Sequence, residues 1–318
     1  MSWQAELIRL GARIFLKSGT RPSVTIAMRR QRIHAYERWV QRPPAGTEST
    51  ERPLGGIPAI RIVRPESLTG RFILYLHGGG YVTGSPVLYR HITWRIAAAA
   101  RAQLIAISYR LAPENPFPAA FDDAAAAWHG LLGEGADPRR CVVMGDSAGG
   151  GLALALALRL RDEGGPLPAA IVALSPWTDL AMTGDSCRAN ATDPMMNFDD
   201  MAPLAAHYLA GTDPRSPCVS PLYGEMHGLP PTLLQVGSDE ILLDDSRRLA
   251  QRMREAGCNV TLEIWPRMPH VWHAFAPAMP EAARAISRIG AFVQEWAASR
   301  STLFASSADN GSWIRRCL

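Results

Sequence analysis

From about residue 57 this chain alternates short apolar runs with stretches of helical length, and no other feature narrows its fold as far. That alternation builds a mostly parallel sheet with helices on both faces. Residues 57–63 alternate apolar with polar, as an edge strand should. Residues 71–76, 103–108, 141–144 and 169–174 are near-continuous apolar runs, the pattern of strands buried on both sides. Two more strands are expected at 232–236 and 260–265. Between them the spacing predicts helices over 88–101, 119–132, 148–161, 245–256 and 281–298.

Two segments stand outside the alternation. Residues 1–50 are helical and Arg-rich, and end in the turn-forming RPPAGTEST; residues 181–228 are rich in Pro, Asp, Met and aromatics, with one helix expected over 201–209. Together they are expected to form a cap over one edge of a core made of 51–180 and 229–300, with 301–318 as a loosely patterned tail. Trp3, Leu7, Leu10 and Ile14 recur at helical spacing opposite Arg9, Arg13 and Lys17. That stripe is expected to dock onto the protein's own body rather than onto lipid.

The 318 residues are 47% hydrophobic, enough to bury a large core. The net charge is +4, Lys17 is the only lysine, and no run of five like charges occurs. A nucleic-acid partner would require a clustered basic stripe, so none is expected. Glu6, Arg9, Arg13 and Lys17 interrupt every apolar window near the start, which argues against a secretory signal. The longest apolar run, 149–158, is far short of the roughly 20 residues of a membrane span. Five scattered cysteines without a CxxC pair read as ordinary thiols. A cytoplasmic protein is expected.

The chemistry begins at GDSAGGG. A strand running into this turn and then into LALALALRL places Ser147 at the apex, with Gly145 and Gly149 allowing strand and helix to approach closely. A serine hydroxyl needs a base held by a carboxylate. After the strand at 232–236 comes GSDEILLDD, and after 260–265 comes PRMPHVWHAF. Asp239 and His270 are the first Asp and first His beyond those strand ends, and the order Ser147, Asp239, His270 suits acyl transfer on such a sheet. Glu240 is adjacent to Asp239, and spacing does not separate the two. Asp244 and Asp245 read as the start of the next helix, where carboxylates cap free N–H groups. His273 lies deeper in the aromatic stretch and is expected to pack.

The stretch YLHGGGYVTGS follows the strand at 71–76. An oxyanion must meet backbone N–H donors that come very close, and glycine permits that approach. Gly79 and Gly80 are the expected donors, with Gly78 behind them and Ala148 supplying a further N–H. His77 is expected to anchor the loop by hydrogen bonds.

With YLHGGGYVTGS, YRLAPENPFPAAFDD, VVMGDSAGGGLALALALRLRD, LSPWTDL, SPLYGEMHGLPPTLLQVGSDEILLDDS and MPHVWHAF in this order, the chain resembles the hormone-sensitive-lipase family of bacterial carboxylesterases. The resemblance runs over about residues 55–298. It implies an α/β-hydrolase fold with a mostly parallel sheet of about eight strands and a helical cap. It also implies a serine esterase for short to medium acyl chains, with Asp239 as triad acid, and neither metal nor organic cofactor. Members of the family are often homodimers. Tyr81, Val82, Phe198, Tyr208 and Val271 are the residues expected to line the substrate pocket, and Trp3 and Phe15 are further candidates. An amidase or peptidase on the same fold, or a non-catalytic ligand-binding relative, are the alternative readings.

Overall fold

The apolar runs become strands because each is buried on both sides, and their side chains divide between two cores. In β3 (Phe72–Leu76), Ile73 and Tyr75 point to one core while Leu74 and Leu76 point to the other. The same alternation divides β5 (Cys141–Asp146), with Val142 and Met144 facing one way and Val143 the other. The computed structural model describes residues 1–17 and 24–298. The tail expected at 301–318 lies outside the described residues.

The remaining strands are β1 (Glu48–Glu51), β2 (Ala59–Val63), β4 (Gln103–Ile107), β6 (Ala170–Leu174), β7 (Thr232–Gly237) and β8 (Val260–Trp265). They form one eight-stranded sheet in the order β1-β2-β4-β3-β5-β6-β7-β8. β1 and β2 are antiparallel to their neighbours, and every pairing from β4 to β8 is parallel. This is the expected sheet with one addition. β2 is not the edge, because β1 pairs outside it. All four residues of β1 are polar and exposed, so no apolar pattern announces a strand there.

The helices fall where the spacing puts them. The first are α1 (Trp3–Gly11), continued by a π-helical segment (Ala12–Leu16), and α2 (Ile26–Glu37). Then come α3 (Pro86–Ala100), α4 (Ala119–Gly133), α5 (Ser147–Asp162), the short α6 (Ser186–Ala189), α7 (Phe198–Leu209), α8 (Leu243–Glu255) and α9 (Pro280–Trp296). α3 and α9 pack on one face of the sheet; α4, α5 and α8 pack on the other. No helix among the described residues is long and apolar enough to cross a membrane.

Two expectations fail. Trp3, Leu7, Leu10 and Ile14 do not dock on the body; they are exposed, and α1 instead buries Ala5 against α9. The small side chains allow the close approach, so the large ones are left outside. Cys141, Cys187 and Cys258 are free thiols as expected, but Cys218 is disulfide-bonded.

α3 and α9 cross at Gly290, where a Cβ would overlap the carbonyl of Ala99. Overpacking of this kind costs about 1–3 kcal/mol. Gly290→Ala is expected to lower the melting temperature correspondingly while leaving the sheet's circular-dichroism signature intact; an unchanged melt would show that the helices separate freely.

Candidate active site

β5 passes into α5 with no intervening loop, and that abruptness sets the site. Ser147, the first residue of the helix, has φ 51°, a left-handed backbone that a side-chain-bearing residue rarely adopts. Its carbonyl accepts a hydrogen bond from Trp177 N–H at 2.9 Å. A Cβ at Gly145 would overlap the carbonyl of Gly149, and one at Gly149 would overlap the carbonyl of Leu76. Both glycines are therefore required by close approach, as the sequence implied.

The loop after β8 carries His270, and the loop after β7 carries the carboxylate that faces it. His270 Nδ1 lies 2.8 Å from Glu240 Oε2. The other oxygen of Glu240 accepts from Gly237 N–H at 2.6 Å and from the Ser175 hydroxyl at 2.7 Å. Burial raises this carboxyl above its ordinary range, and the three converging donors oppose that shift by favouring its ionised form. An ionised carboxylate only accepts, so Nδ1 of His270 carries the proton and Nε2 is free to act as a base.

The carboxylate facing His270 is thus Glu240, not Asp239. Asp239 points out of the loop, with Oδ2 in an ion pair 2.6 Å from Arg9 Nη1 and Oδ1 accepting from the Ser238 hydroxyl at 2.8 Å. The physical reason is the turn after Gly237. That turn folds the next inward side chain, Glu240, back under the strand end, where it caps the Gly237 N–H. Sequence spacing carried no signal for this, because the partner that holds Asp239 outward is some 230 residues away.

Burial disfavours the charged form of His270, but the bond and charge of Glu240, aided by the charges of Asp193 and Asp146, outweigh it and raise the imidazole above its ordinary value of 6.5. His273 packs as expected: its Nε2 lies 2.8 Å from Gln235 Oε1, and burial pushes it down to about 3, so it stays neutral. Asp245 is no helix cap. It is fully buried and accepts from the N–H groups of Thr178 at 2.6 Å and Asp179 at 2.8 Å, while Asp244 accepts from Ser186 N–H at 2.8 Å.

The oxyanion loop divides its glycines. Gly78 N–H donates to Asp146 Oδ1 at 3.0 Å, so it is already occupied and drops out of the expected donor set. Gly79 and Gly80 have φ of 119° and 62°, and among the described residues their N–H groups meet no protein acceptor. Ala148, second in α5, lies in the first turn, where N–H groups have no partner within the helix. Asp146 is the residue that sequence reasoning overlooked. Completely buried and pushed up to about 6 by burial, it also accepts from the Tyr75 hydroxyl at 2.8 Å and so ties β3, the glycine loop and the nucleophile turn together. His77 anchors the loop: Nδ1 is 2.8 Å from Gly78 O, the ring stacks on Tyr109 at 4.3 Å, and burial holds it down to about 4.

Of the expected pocket residues, Tyr81, Val82 and Tyr208 share one buried cluster, with Phe198 packed against it. Tyr81 and Tyr208 stack face to face at 3.7 Å. Val271 belongs to the opposite core and gives its N–H to Ser175 Oγ at 3.1 Å. Trp3 and Phe15, the further candidates, are exposed.

This geometry, a serine at a strand-to-helix apex with a carboxylate-held histidine three strands on, defines the class. Residues 73–274 match the family profile described as the alpha/beta hydrolase fold, and the chain belongs to that family. It is 51% identical over 233 residues to an acetyl-hydrolase of Streptomyces hygroscopicus, covering 73% of this chain and 78% of that one. It is 36% identical over 241 residues to an esterase of Acinetobacter venetianus, covering 75% and 79%. A crystal structure of an esterase from the bacterial hormone-sensitive lipase family superposes with a TM-score of 0.88 at 42% identity, over 94% of this chain and 99% of that one. Within the α/β hydrolases the chain is of the hormone-sensitive-lipase type.

The two carboxylates separate cleanly by mutation. Glu240→Gln is expected to lower kcat by about 10⁴-fold, since it removes the charge that stabilises the imidazolium. Asp239→Asn should leave kcat within about fivefold, because a partly exposed ion pair is worth about 1 kcal/mol or less. The opposite ranking would return the acid role to Asp239. Because His270 must be neutral to act as a base, kcat/KM should fall as the pH drops through a midpoint above 6.5. A midpoint at or below 6.5 would contradict the assignment.

Proposed function

We propose that this chain is a serine carboxylesterase that cleaves esters of short to medium acyl chain through an acyl-enzyme on Ser147. The observation that carries the reading is the 2.8 Å pairing of His270 Nδ1 with Glu240, which leaves Nε2 as the base for a serine set at a strained apex. The names of the relatives, acetyl-hydrolase and esterase, support the same chemistry.

In the first half-reaction Ser147 Oγ attacks the ester carbonyl while His270 Nε2 takes its proton. Glu240 holds the imidazole in the required tautomer and stabilises the imidazolium. The carbonyl oxygen becomes an oxyanion, received by the N–H groups of Gly79, Gly80 and Ala148; losing one such donor typically lowers the rate about 10²–10³-fold. The tetrahedral adduct collapses, the alcohol departs with the proton from His270, and the acyl group stays on Ser147. Water then repeats the sequence and releases the carboxylate.

The segments 1–50 and 181–228 act together as the cap of this site. Arg29 of α2 pairs with Asp200 of α7, and Arg30 donates to the carbonyls of Val82 at 2.8 Å and Ala112 at 2.7 Å beside the oxyanion loop. Leu204 of α7 lies where a Cβ on Gly80 would be, 3.1 Å away. Apolar walls from Tyr81, Val82, Phe198 and Tyr208 suit an acyl chain of limited length.

Hydrolysis of p-nitrophenyl esters from acetate to palmitate, with Ser147→Ala in parallel, tests the reading. Rates are expected to peak at short or medium chains and to fall about 10⁶-fold in the variant. An inert wild type, or a variant that keeps its rate, would overturn it, and turnover of the matching amides in preference to the esters would make it an amidase.

A further inference from the structure

α1 has two faces of opposite character. Its inward face is mostly small: Ala5 and Ala12 are buried, Ile8 packs half-buried against the same core, and Ser2 donates to Glu281 through its N–H at 2.6 Å and its hydroxyl at 2.8 Å. Its outward face is made of large ones. Trp3, Leu7, Leu10 and Ile14, at spacings i, i+4, i+7 and i+11, are 69, 59, 57 and 57% exposed. Among the described residues, every large apolar side chain that is strongly exposed lies within residues 1–39, except Ile264. Single exposed leucines are ordinary, but a contiguous stripe on one helix marks a surface that something covers.

Charge identifies what covers it. Residues 1–42 carry nine Arg and Lys against two Glu, while the rest of the chain carries 24 against 27. The positive character of the protein is therefore concentrated in the segment that also holds its exposed apolar residues. Arg13, Arg32, Arg38 and Arg42 are exposed there, in the company of exposed Tyr36 and Trp39. An apolar stripe in a segment that also carries exposed arginines and interfacial aromatics has the composition of a helix that lies in a lipid headgroup region. A second copy fits poorly, because a twofold contact would set this cationic segment against itself.

We infer that the outward face of α1 docks this protein peripherally onto an anionic lipid surface, with the leucine stripe entering the headgroup boundary and the surrounding arginines meeting lipid phosphates. The helix lies flat and does not span. It is held to the body from behind by Ser2–Glu281 and by the Arg9–Asp239 ion pair at 2.6 Å, so docking needs no unfolding of the segment. An ester presented in such a surface would reach the enzyme without first entering solution.

The test is flotation of the full-length protein with vesicles of phosphatidylcholine alone or mixed with phosphatidylglycerol. Binding is expected to the mixed vesicles, to be weak with phosphatidylcholine alone, and to be released by salt. Leu7→Glu/Leu10→Glu should weaken partitioning at least about tenfold, and Arg13→Gln/Arg32→Gln should weaken it on the anionic vesicles only. Both variants should keep the wild-type melting temperature and turnover of a soluble ester, which separates lost docking from lost folding. Equal flotation of wild type on both vesicle types, or undiminished flotation of the leucine variant, would overturn the inference. So would a wild-type dimer in sedimentation velocity that the leucine variant dissociates, for then a second copy covers the stripe. Because the readout is partitioning, it stands or falls independently of the esterase reading.

Discussion

The close approach of backbone to backbone at the ends of β3 and β5 is the constraint on which the rest of the site depends. Gly149 sits against the carbonyls of Leu76 and His77, and Gly145 against that of Gly149. No side chain fits in either place. This contact brings the first turn of α5 beside the strand that feeds the glycine loop, so the nucleophile and the oxyanion donors are neighbours before any substrate arrives. A non-glycine residue held in the left-handed region stores about 1–3 kcal/mol of strain. Ser147 is kept there by α5, buried without a break from Ser147 to Leu158, and by the Trp177 N–H on its carbonyl.

Two buried carboxylates then organise the site from opposite sides. Asp146 joins Tyr75 and Gly78 on the side of the nucleophile, and Glu240 joins Gly237, Ser175 and His270 on the side of the base. Leaving either unpaired in the interior would be costly, which is why each carries several donors. Their charges also account for the direction in which His270 moves. A buried imidazole without them would be held neutral far down the pH scale, as His77 and His273 are at about 4 and 3. The same fold thus holds three buried histidines, and the one beside a carboxylate is the one poised to take a proton.

The parts of this arrangement that were legible in the sequence are those written in local pattern. Strand β8 is found at the predicted residues, and the places of Ser147 at a strand-to-helix turn and of His270 beyond a strand end follow from local motif. The close backbone approach of the glycine loop after β3 was legible in the same local way, because glycine permits it. What was not legible depends on partners distant in the chain. β1 has no apolar residue and exists only because β2 offers it an open edge. The choice between Asp239 and Glu240 turns on which side chain faces inward after Gly237, and Gly78 was lost to the donor set through Asp146. The stripe on α1 was read correctly as amphipathic but given the wrong side, since periodicity reports that a helix has two faces and not which of them meets the body. There the small residues won, because they let the helix lie closer.

That choice of face has a consequence for the triad. With its alanines inward, α1 brings Arg9 over the loop after β7, where it meets Asp239 and also donates to the carbonyl of Arg267, three residues before His270. Glu6 completes the contact by pairing with Arg267 at 2.9 Å. On the other side Lys17 donates to the carbonyls of Ala191 at 3.1 Å and Asp193 at 2.7 Å. From that segment the Asn190 amide reaches the carbonyls of Ser238 at 3.1 Å and Glu240 at 2.7 Å, and Asp193 accepts from Ile241 N–H at 3.1 Å. The backbone that carries Glu240 is therefore held largely by the two segments proposed as the cap, and the loop that carries His270 is held in part by α1. Asp239, adjacent to the acid but turned away from the histidine, is where the N-terminal helix takes hold of the acid loop, so the cap that would select the substrate also sets the geometry of the acid that orients its base.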